Sequence, residues 1–144
     1  MGSSEAHPDL IIAGAQDNGT NLWENDSWTH VIGADGMEAL IDWYDPQIMY
    51  GSIQNGSLQK SDNGGASFSG ISNTMTDAEN ANWVTPYDID PADHNTLYAG
   101  YENLWKSTDG GDNWFTISNF TTNAIDQIAI APNDPNFIHV SVNS

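Results

Sequence analysis

The sequence of 144 residues predicts an all-β protein made of repeated small sheets. Three observations lead to this prediction. The chain contains a repeat of about 40 residues, its short apolar runs end at turns rich in Gly, Asn and Asp, and no segment has a helical period. The pattern, rather than any single motif, carries the prediction.

The repeat is clearest between residues 90–100 and residues 131–141, which align without a gap at an offset of 41 (90 to 131). Pro, Asp and Asn recur in step, and shorter copies begin at Pro8 and Asp45. When the four copies are aligned, each ends in a small residue at the same position, which gives one column: Gly14, Gly51, Gly100 and Ser141. Each copy therefore predicts a turn followed by a strand.

A second pattern follows this column. Residues 58–68 match residues 104–114, and residues 22–28 form a shorter copy that lacks the glycine pair. Each copy predicts a strand, a Gly/Asn/Asp turn and a second strand, with an aromatic residue behind the turn. One further apolar run per repeat completes four strands, which we name A to D in chain order. Four strands in about 40 residues are typical of a β-propeller blade, which buries its faces by stacking on the next blade.

The repeat divides the chain into about three blades. Residues 1–7 begin Met-Gly-Ser-Ser, look like a remnant of an expression tag and are expected to be irregular. Residues 8–33 would supply strands B to D of one blade, 34–73 a whole blade, 74–119 a whole blade with a long D–A loop, and 120–144 strands A and B of another. An incomplete ring exposes strand edges, so we expect copies of the chain to associate, a dimer forming a six-bladed ring being one arrangement.

Residues 107–114, Ser-Thr-Asp-Gly-Gly-Asp-Asn-Trp, resemble the Asp-box (BNR) signature of sialidases, xyloglucanase-type glycoside hydrolases and sortilin-like receptors. Residues 61–68 resemble it with Asn in place of Asp and Phe in place of Trp. The matching positions are Ser61, Asn63, Gly65 and Phe68 in one copy and Ser107, Asp109, Gly111 and Trp114 in the other. The wider sequence is also similar to secreted surface propellers of Bacteroidetes-type bacteria. The resemblance implies a propeller fold, a secreted or cell-surface location and a structural role for the box.

The charge limits the partners. Twenty acidic residues stand against two lysines and no arginine, for a net charge of −18. Binding of nucleic acid or of an anionic membrane surface is excluded on this ground, because both need basic side chains. No apolar run approaches the roughly 18 residues of a membrane span, so membrane insertion is not expected. Neutral or cationic partners remain.

Propellers of the resembled family build their functional face from the D–A loops and the B–C turns. In this chain these segments contain Asp17, Asn18, Asp35, Glu38 and Trp83. Carboxylates, an amide and an indole suit a neutral glycan, whose hydroxyls need acceptors and donors and whose C–H faces stack on aromatic rings. Trp83 could equally be a packed residue at the start of strand A. The other tryptophans are expected to be buried: Trp28 and Trp114 in the core, and Trp23, Trp43 and Trp105 between blades.

The acidic residues could have either of two chemical roles. Asp35 with Glu38 or with Asp17 could form the carboxylate pair of a glycosidase, which needs a separation of roughly 5 to 10 Å. Calcium is a further option, with these candidate ligands: Asp88, Asp90 and Asp93. Capping of the A–B turn is the simpler interpretation of that second group.

The sequence thus predicts a non-catalytic propeller module that binds neutral glycan or acts as a scaffold. One alternative is part of a glycoside hydrolase active site that uses paired carboxylates. The other is a purely structural or protein-binding propeller that self-assembles. No cofactor is expected apart from the calcium option.

Overall fold

The computed structural model of the chain describes residues 1–4, 7–120 and 123–142. Within these residues the strands form three four-stranded antiparallel sheets and one two-stranded sheet, each in chain order. The first sheet contains β1 (Gly2–Ser3), β2 (Ile11–Ala15), β3 (Gly19–Glu24) and β4 (Ser27–Ile32); the second contains β5 (Ala39–Ile41), β6 (Met49–Ile53), β7 (Ser57–Ser61) and β8 (Ser69–Gly70). The third contains β9 (Tyr87–Ile89), β10 (Leu97–Gly100), β11 (Leu104–Ser107) and β12 (Phe115–Thr116); the fourth contains β13 (Ile125–Ile130) and β14 (Ile138–Val142). The prediction of repeated all-β sheets is confirmed.

Helix is nearly absent from residues 1–4, 7–120 and 123–142. One short helix, α1 (Asn73–Thr76), lies in the connection between the second and third sheets. No helix in the described part of the chain is long enough or apolar enough to cross a membrane.

The hydrophobic core lies between neighbouring sheets rather than inside any one of them. Ile12 and Leu22 of the first sheet pack with Ile41 and Met49 of the second. The second and third sheets share a larger cluster that includes these residues: Tyr50, Leu58, Tyr87, Leu97, Tyr101, Trp105 and Trp114. A third cluster joins Tyr98 and Leu104 to Ile125 of the fourth sheet. Each sheet is thus buried by stacking on the next, as the repeat predicts.

The column of small residues on the strands marks close approaches between sheets. A Cβ atom at Gly100 would lie 2.8 Å from Cγ2 of Ile125 in the fourth sheet, and one at Gly14 would lie 2.1 Å from the Met37 carbonyl oxygen. Larger side chains would therefore force the sheets apart at these positions.

The sequence predicts that the chain opens at strand B, but the structure has one strand before it. Gly2–Ser3 forms β1, which pairs antiparallel with β2 and places Gly2 opposite Ile12. Backbone pairing needs no particular side chain, and Gly2 also fits where a Cβ would lie 2.7 Å from the Leu40 Cα. The segment expected to be irregular thus supplies strand A of the first sheet.

Antiparallel chain order gives the stack two distinct ends. We call the end with the D–A connections and B–C turns the loop face; it includes residues 16–18, 33–38, 54–56, 73–86 and 101–103. We call the end with the A–B and C–D turns the turn face; it includes residues 42–48, 62–68, 90–96 and 108–114.

Candidate functional site

Asp17 and Asp35 meet on the loop face. Asp17 lies in the B–C turn of the first sheet with a φ of 64°, a left-handed conformation that Asp adopts more readily than most residues. Its backbone N–H donates to Asp35 Oδ1 at 2.8 Å, and the Asp35 N–H donates to Gln54 Oε1 at 3.3 Å. Asp35 therefore ties its loop to the B–C turns of two sheets, and this contact engages one of its carboxylate oxygens.

Asn18 and Trp83 are exposed on the same face. The Asn18 Nδ2 group donates to the Gln16 carbonyl at 3.1 Å, so this amide is partly used within its own turn. The Trp83 side chain is 48% exposed, and its backbone carbonyl accepts a hydrogen bond from the Asn55 N–H at 3.3 Å. Trp83 is thus not a packed residue, and its backbone is held against the second sheet.

A cavity of about 430 Å³ opens between the innermost strands of the second, third and fourth sheets. We call it the channel cavity; it is lined by Glu38, Leu40, Val84, Pro86, Tyr87, Asp88, Asp126, Gln127 and Ile128. Three carboxylates and one amide therefore share its wall with aliphatic side chains. This mixture is typical of a small-molecule site, in which apolar surface gives area and a few polar groups give orientation.

The carboxylates of the channel cavity differ in their surroundings. Burial raises the pKa of the Asp88 carboxyl, the hydrogen bond from the Ile89 N–H at 2.8 Å opposes this increase, and the charge of Glu38 adds to it. Asp126 Oδ1 instead accepts a hydrogen bond from Asn82 Nδ2 at 2.8 Å. Asp88 therefore holds its proton to higher pH than an ordinary aspartate.

Of the two acidic pairs considered from the sequence, the structure brings Asp35 and Asp17 together and places Glu38 elsewhere. Asp35 contacts Asp17, whereas Glu38 lies in the channel cavity with Asp88. The Glu38 carbonyl accepts hydrogen bonds from the Ser52 N–H at 2.9 Å and from the Tyr87 hydroxyl at 2.9 Å, which fixes the backbone beside its side chain. Glu38 thus shares the cavity wall with Asp88 and Asp126.

The three residues considered for calcium occupy two different places. Asp88 faces the channel cavity, while Asp90 Oδ1 accepts hydrogen bonds from the Ala92 and Asp93 N–H groups of the A–B turn. Asp93 bonds the Asn95 N–H and the Thr96 hydroxyl. Among the residues that the structure describes, no group of three His, Cys, Asp or Glu side chains is placed to hold a metal ion.

Two turns of the turn face share one hydrogen-bond pattern. In residues 61–68, Ser61 Oγ donates to Asn63 Oδ1 at 2.9 Å and accepts from the Gly65 N–H at 2.9 Å. In residues 107–114, Ser107 Oγ donates to Asp109 Oδ1 at 2.9 Å and accepts from the Gly111 N–H at 2.9 Å. The glycines have positive φ angles in both turns. We call these the Ser-x-Asx-Gly-Gly turns, and their Ser and Asx side chains are engaged within the turns.

The tryptophans divide differently from the sequence expectation. Trp114 and Trp105 are buried as predicted, but Trp28 is 53% exposed and Trp43 is 46% exposed. Trp28 stands directly opposite Trp23 on β3 and β4, and their ring centroids lie 5.4 Å apart. The hairpin that joins them turns at Asn25 and Asp26 without the glycine pair, so Trp28 packs on its cross-strand neighbour instead of the core.

From the sequence alone, Asp88 is a candidate only for calcium, and Asp126, Gln127 and Asn82 are not singled out. The alternation of side chains along the strand could have indicated cavity residues. Ala39 and Ile41 are buried, and they alternate with Glu38 and Leu40, which line the cavity. The same alternation in β9 would have marked Asp88. Which of these positions face one another depends on how the sheets stack.

Comparison with solved structures finds glycoside hydrolases built on propellers. The chain aligns with an ancestral GH74 enzyme at a TM-score of 0.73 and 14% identity, over 92% of this chain and 20% of that one. The GH74 xyloglucanase of Xanthomonas campestris aligns at a TM-score of 0.69 and 18% identity, over 97% of this chain and 27% of that one. The GH74 enzyme of Niastella koreensis aligns at 0.65 and 18%, over 92% and 24%. No protein-family model and no curated protein matches the chain.

These alignments and the stacked sheets together establish a β-propeller fold, which confirms the predicted architecture. At such identities the likeness shows the fold alone. The chain spans only about a fifth to a quarter of the enzymes it resembles.

Proposed function

We propose that the chain is a propeller module of Asp-box type that binds a neutral glycan at the channel cavity. The cavity itself is the observation that carries this proposal. Its volume of about 430 Å³ lies within the usual range of small-molecule sites, and its wall combines hydroxyl-binding carboxylates with aliphatic surface.

Trp83 extends this surface toward the loop face. It directly precedes Val84 of the cavity wall, and about half of its side chain is free to stack on a sugar ring. The net charge of −18 and the lack of arginine disfavour an acidic sugar at the same place. Asp17, Asn18 and Asp35 lie farther along the loop face as contacts for a longer chain.

The Asp-box assignment rests on the paired geometry of the two Ser-x-Asx-Gly-Gly turns. In this proposal the boxes hold the C–D turns and take no part in binding. A secreted or cell-surface location goes with the proposal, since an extracellular glycan is its ligand.

Titration calorimetry with xyloglucan oligosaccharides tests the proposed site. Asp126→Asn and Trp83→Ala should each weaken binding about tenfold, which corresponds to about 1.4 kcal/mol. Asp62→Asn, an exposed carboxylate on the turn face, is the matched control and should bind like the parent chain. Equal binding by all of these variants would overturn the site.

Hydrolysis is a second candidate function, favoured by the raised pKa of Asp88 beside Glu38. A carboxyl whose pKa is raised, beside a second carboxyl, is typical of the general acid of a glycosidase. Release of reducing ends from xyloglucan by the parent chain, and its loss in Glu38→Gln and Asp88→Asn, would establish this activity. Binding without release supports the module, and neither binding nor release supports the purely structural alternative.

A further inference from the structure

The turn face carries an aromatic cluster that the channel cavity does not involve. Trp43 and Tyr44 in the A–B turn of the second sheet lie against His94 in the A–B turn of the third sheet. We call these three residues the aromatic platform. Trp43 is 46% exposed and Tyr44 is 70% exposed.

The turn itself does not require these aromatic residues. Asp42 Oδ1 accepts hydrogen bonds from the Tyr44 and Asp45 N–H groups at 2.7 and 3.0 Å. In the third sheet, Asp90 Oδ1 bonds the Ala92 and Asp93 N–H groups at 2.8 and 3.2 Å. The equivalent turn thus has Pro91 and Ala92 where this turn has Trp43 and Tyr44. Two large aromatic side chains are therefore exposed at positions where small residues give the same turn.

The rings of the platform are held in fixed positions. The Trp43 indole Nε1–H donates to the Asp90 carbonyl at 3.1 Å, which ties the ring to the neighbouring sheet. The Tyr44 and His94 rings stack with centroids 4.6 Å apart and an interplanar angle of 33°. His94 is anchored in turn by Nδ1, which lies 3.0 Å from Oδ2 of the buried Asp42. A ligand that stacks here meets ordered rings and costs little further side-chain entropy.

The charges near the platform determine which ligand suits it. Both lysines are engaged elsewhere: Lys60 pairs with Asp62 and Asp112, and Lys106 lies over the Tyr98 ring. The rim of the platform consists of carboxylates and amides, including Asp45, Asp93 and Asn95. An anionic ligand would be repelled, whereas hydroxyl groups find acceptors and donors around an apolar surface.

We propose that the aromatic platform is a second saccharide-binding surface, which takes one pyranose ring of a neutral glucan chain. The C–H face of that sugar ring stacks on the exposed face of Tyr44, and its equatorial hydroxyls reach the rim. The Trp43 ring stands at 82° to the Tyr44 ring with centroids 6.2 Å apart, so it borders the bound sugar from the side. Glu38 and Asp42 stand at opposite ends of β5, four residues or about 13 Å apart at strand spacing. The platform therefore binds independently of the channel cavity.

Titration with cellohexaose, followed by ¹⁵N–¹H NMR of the indole groups, tests this proposal. The Trp43 signal, assigned from its loss in Trp43→Phe, should shift on titration, with an affinity in the millimolar range. Tyr44→Ala should weaken binding about tenfold. This variant is suited to the test because Ala92 occupies the equivalent position in the third sheet. Trp28→Ala removes a similarly exposed tryptophan on another sheet and should leave the titration unchanged.

Other outcomes are distinguishable and overturn the platform site. A shift of the Trp83 signal alone would support the channel cavity and refute the platform. No shift of Trp43, or equal binding by Tyr44→Ala and the parent chain, would also refute it. Self-association that Tyr44→Ala abolishes, without any response to cellohexaose, would identify the platform as a contact between copies of the chain.

Discussion

Replacement of Tyr101 by phenylalanine should weaken the contact between the second and third sheets. The Tyr101 side chain is fully buried, and its hydroxyl donates to the Gly56 carbonyl in a B–C turn of the second sheet. Burial raises the pKa of Tyr101, so the hydroxyl remains a donor throughout the working pH range. The substitution removes this donor and retains the apolar ring.

The size of the destabilisation depends on whether the Gly56 carbonyl keeps a hydrogen-bond donor. A buried hydrogen-bond partner left without its donor costs about 2 kcal/mol, which we expect for Tyr101→Phe. Tyr87→Phe is the matched comparison, because the Tyr87 hydroxyl donates to the Glu38 carbonyl at 2.9 Å across the same pair of sheets. That carbonyl also accepts from the Ser52 N–H and Ser52 Oγ, so we expect a loss of only about 0.5 kcal/mol.

Urea unfolding at pH 7, followed by tryptophan fluorescence and circular dichroism, measures both values. Coincident transitions and equal m-values across the variants are required for the comparison. Tyr44→Phe serves as a control on an exposed ring and should match the parent chain. The reasoning fails if Tyr101→Phe is as stable as the parent chain, or if Tyr87→Phe is the more destabilised of the two.

Four further predictions concern the turns, the cavity and assembly. Asp109→Ala should lower the free energy of unfolding in urea by about 2 kcal/mol, because the buried Ser107 hydroxyl loses its acceptor. Asp109→Asn should lower it by less than about 1 kcal/mol, because Asn63 fills the same role in the other turn. Gly111→Ala should cost about 1 to 3 kcal/mol by the same assay, because its φ is 94° and a Cβ would lie 2.7 Å from Ile71 Cδ1. Because the pKa of Asp88 is raised in the folded chain, the folded chain binds this proton more tightly than the unfolded chain does. The free energy of unfolding therefore falls as the pH rises through the ordinary carboxyl range and Asp88 loses its proton. Asp88→Asn should therefore raise the urea midpoint at pH 7 and raise it less near pH 4; an equal effect at both values would contradict the assignment. Light scattering over a range of concentrations should show dimers or larger closed assemblies, since β14 has a described partner on one side only, and a strictly monomeric chain at high concentration would exclude this.

The architecture could be predicted because the sequence patterns that specify it lie within short contiguous segments. The offset between residues 90–100 and 131–141 and the glycine pairs of the Ser-x-Asx-Gly-Gly turns each lie within a few tens of residues. Hairpins and turns form from such local signals, since the turn residues fix the backbone and strand alternation fixes the faces. The hairpins, their order along the chain and the positions of both turns therefore follow from the sequence, whereas β1 does not.

The candidate sites could be predicted only in part, because they form between sheets. Asp88 and Asp126 lie in two different strands A and Glu38 directly precedes a third, and no local pattern shows that their side chains share one cavity. Sequence reasoning therefore paired Glu38 with Asp35, its neighbour in the same loop, instead of with Asp88.

The sequence by itself determined that this chain is a stack of small antiparallel sheets with a strongly acidic composition. Only the tertiary structure decided which similar residues are buried and which are exposed. Trp114 packs into the core between two sheets, while Trp43 lies on the surface with its indole N–H bonded to the Asp90 carbonyl of the next sheet. The physical reason is that burial depends on the stacking of neighbouring sheets, a contact between distant segments that the pattern within one repeat does not specify.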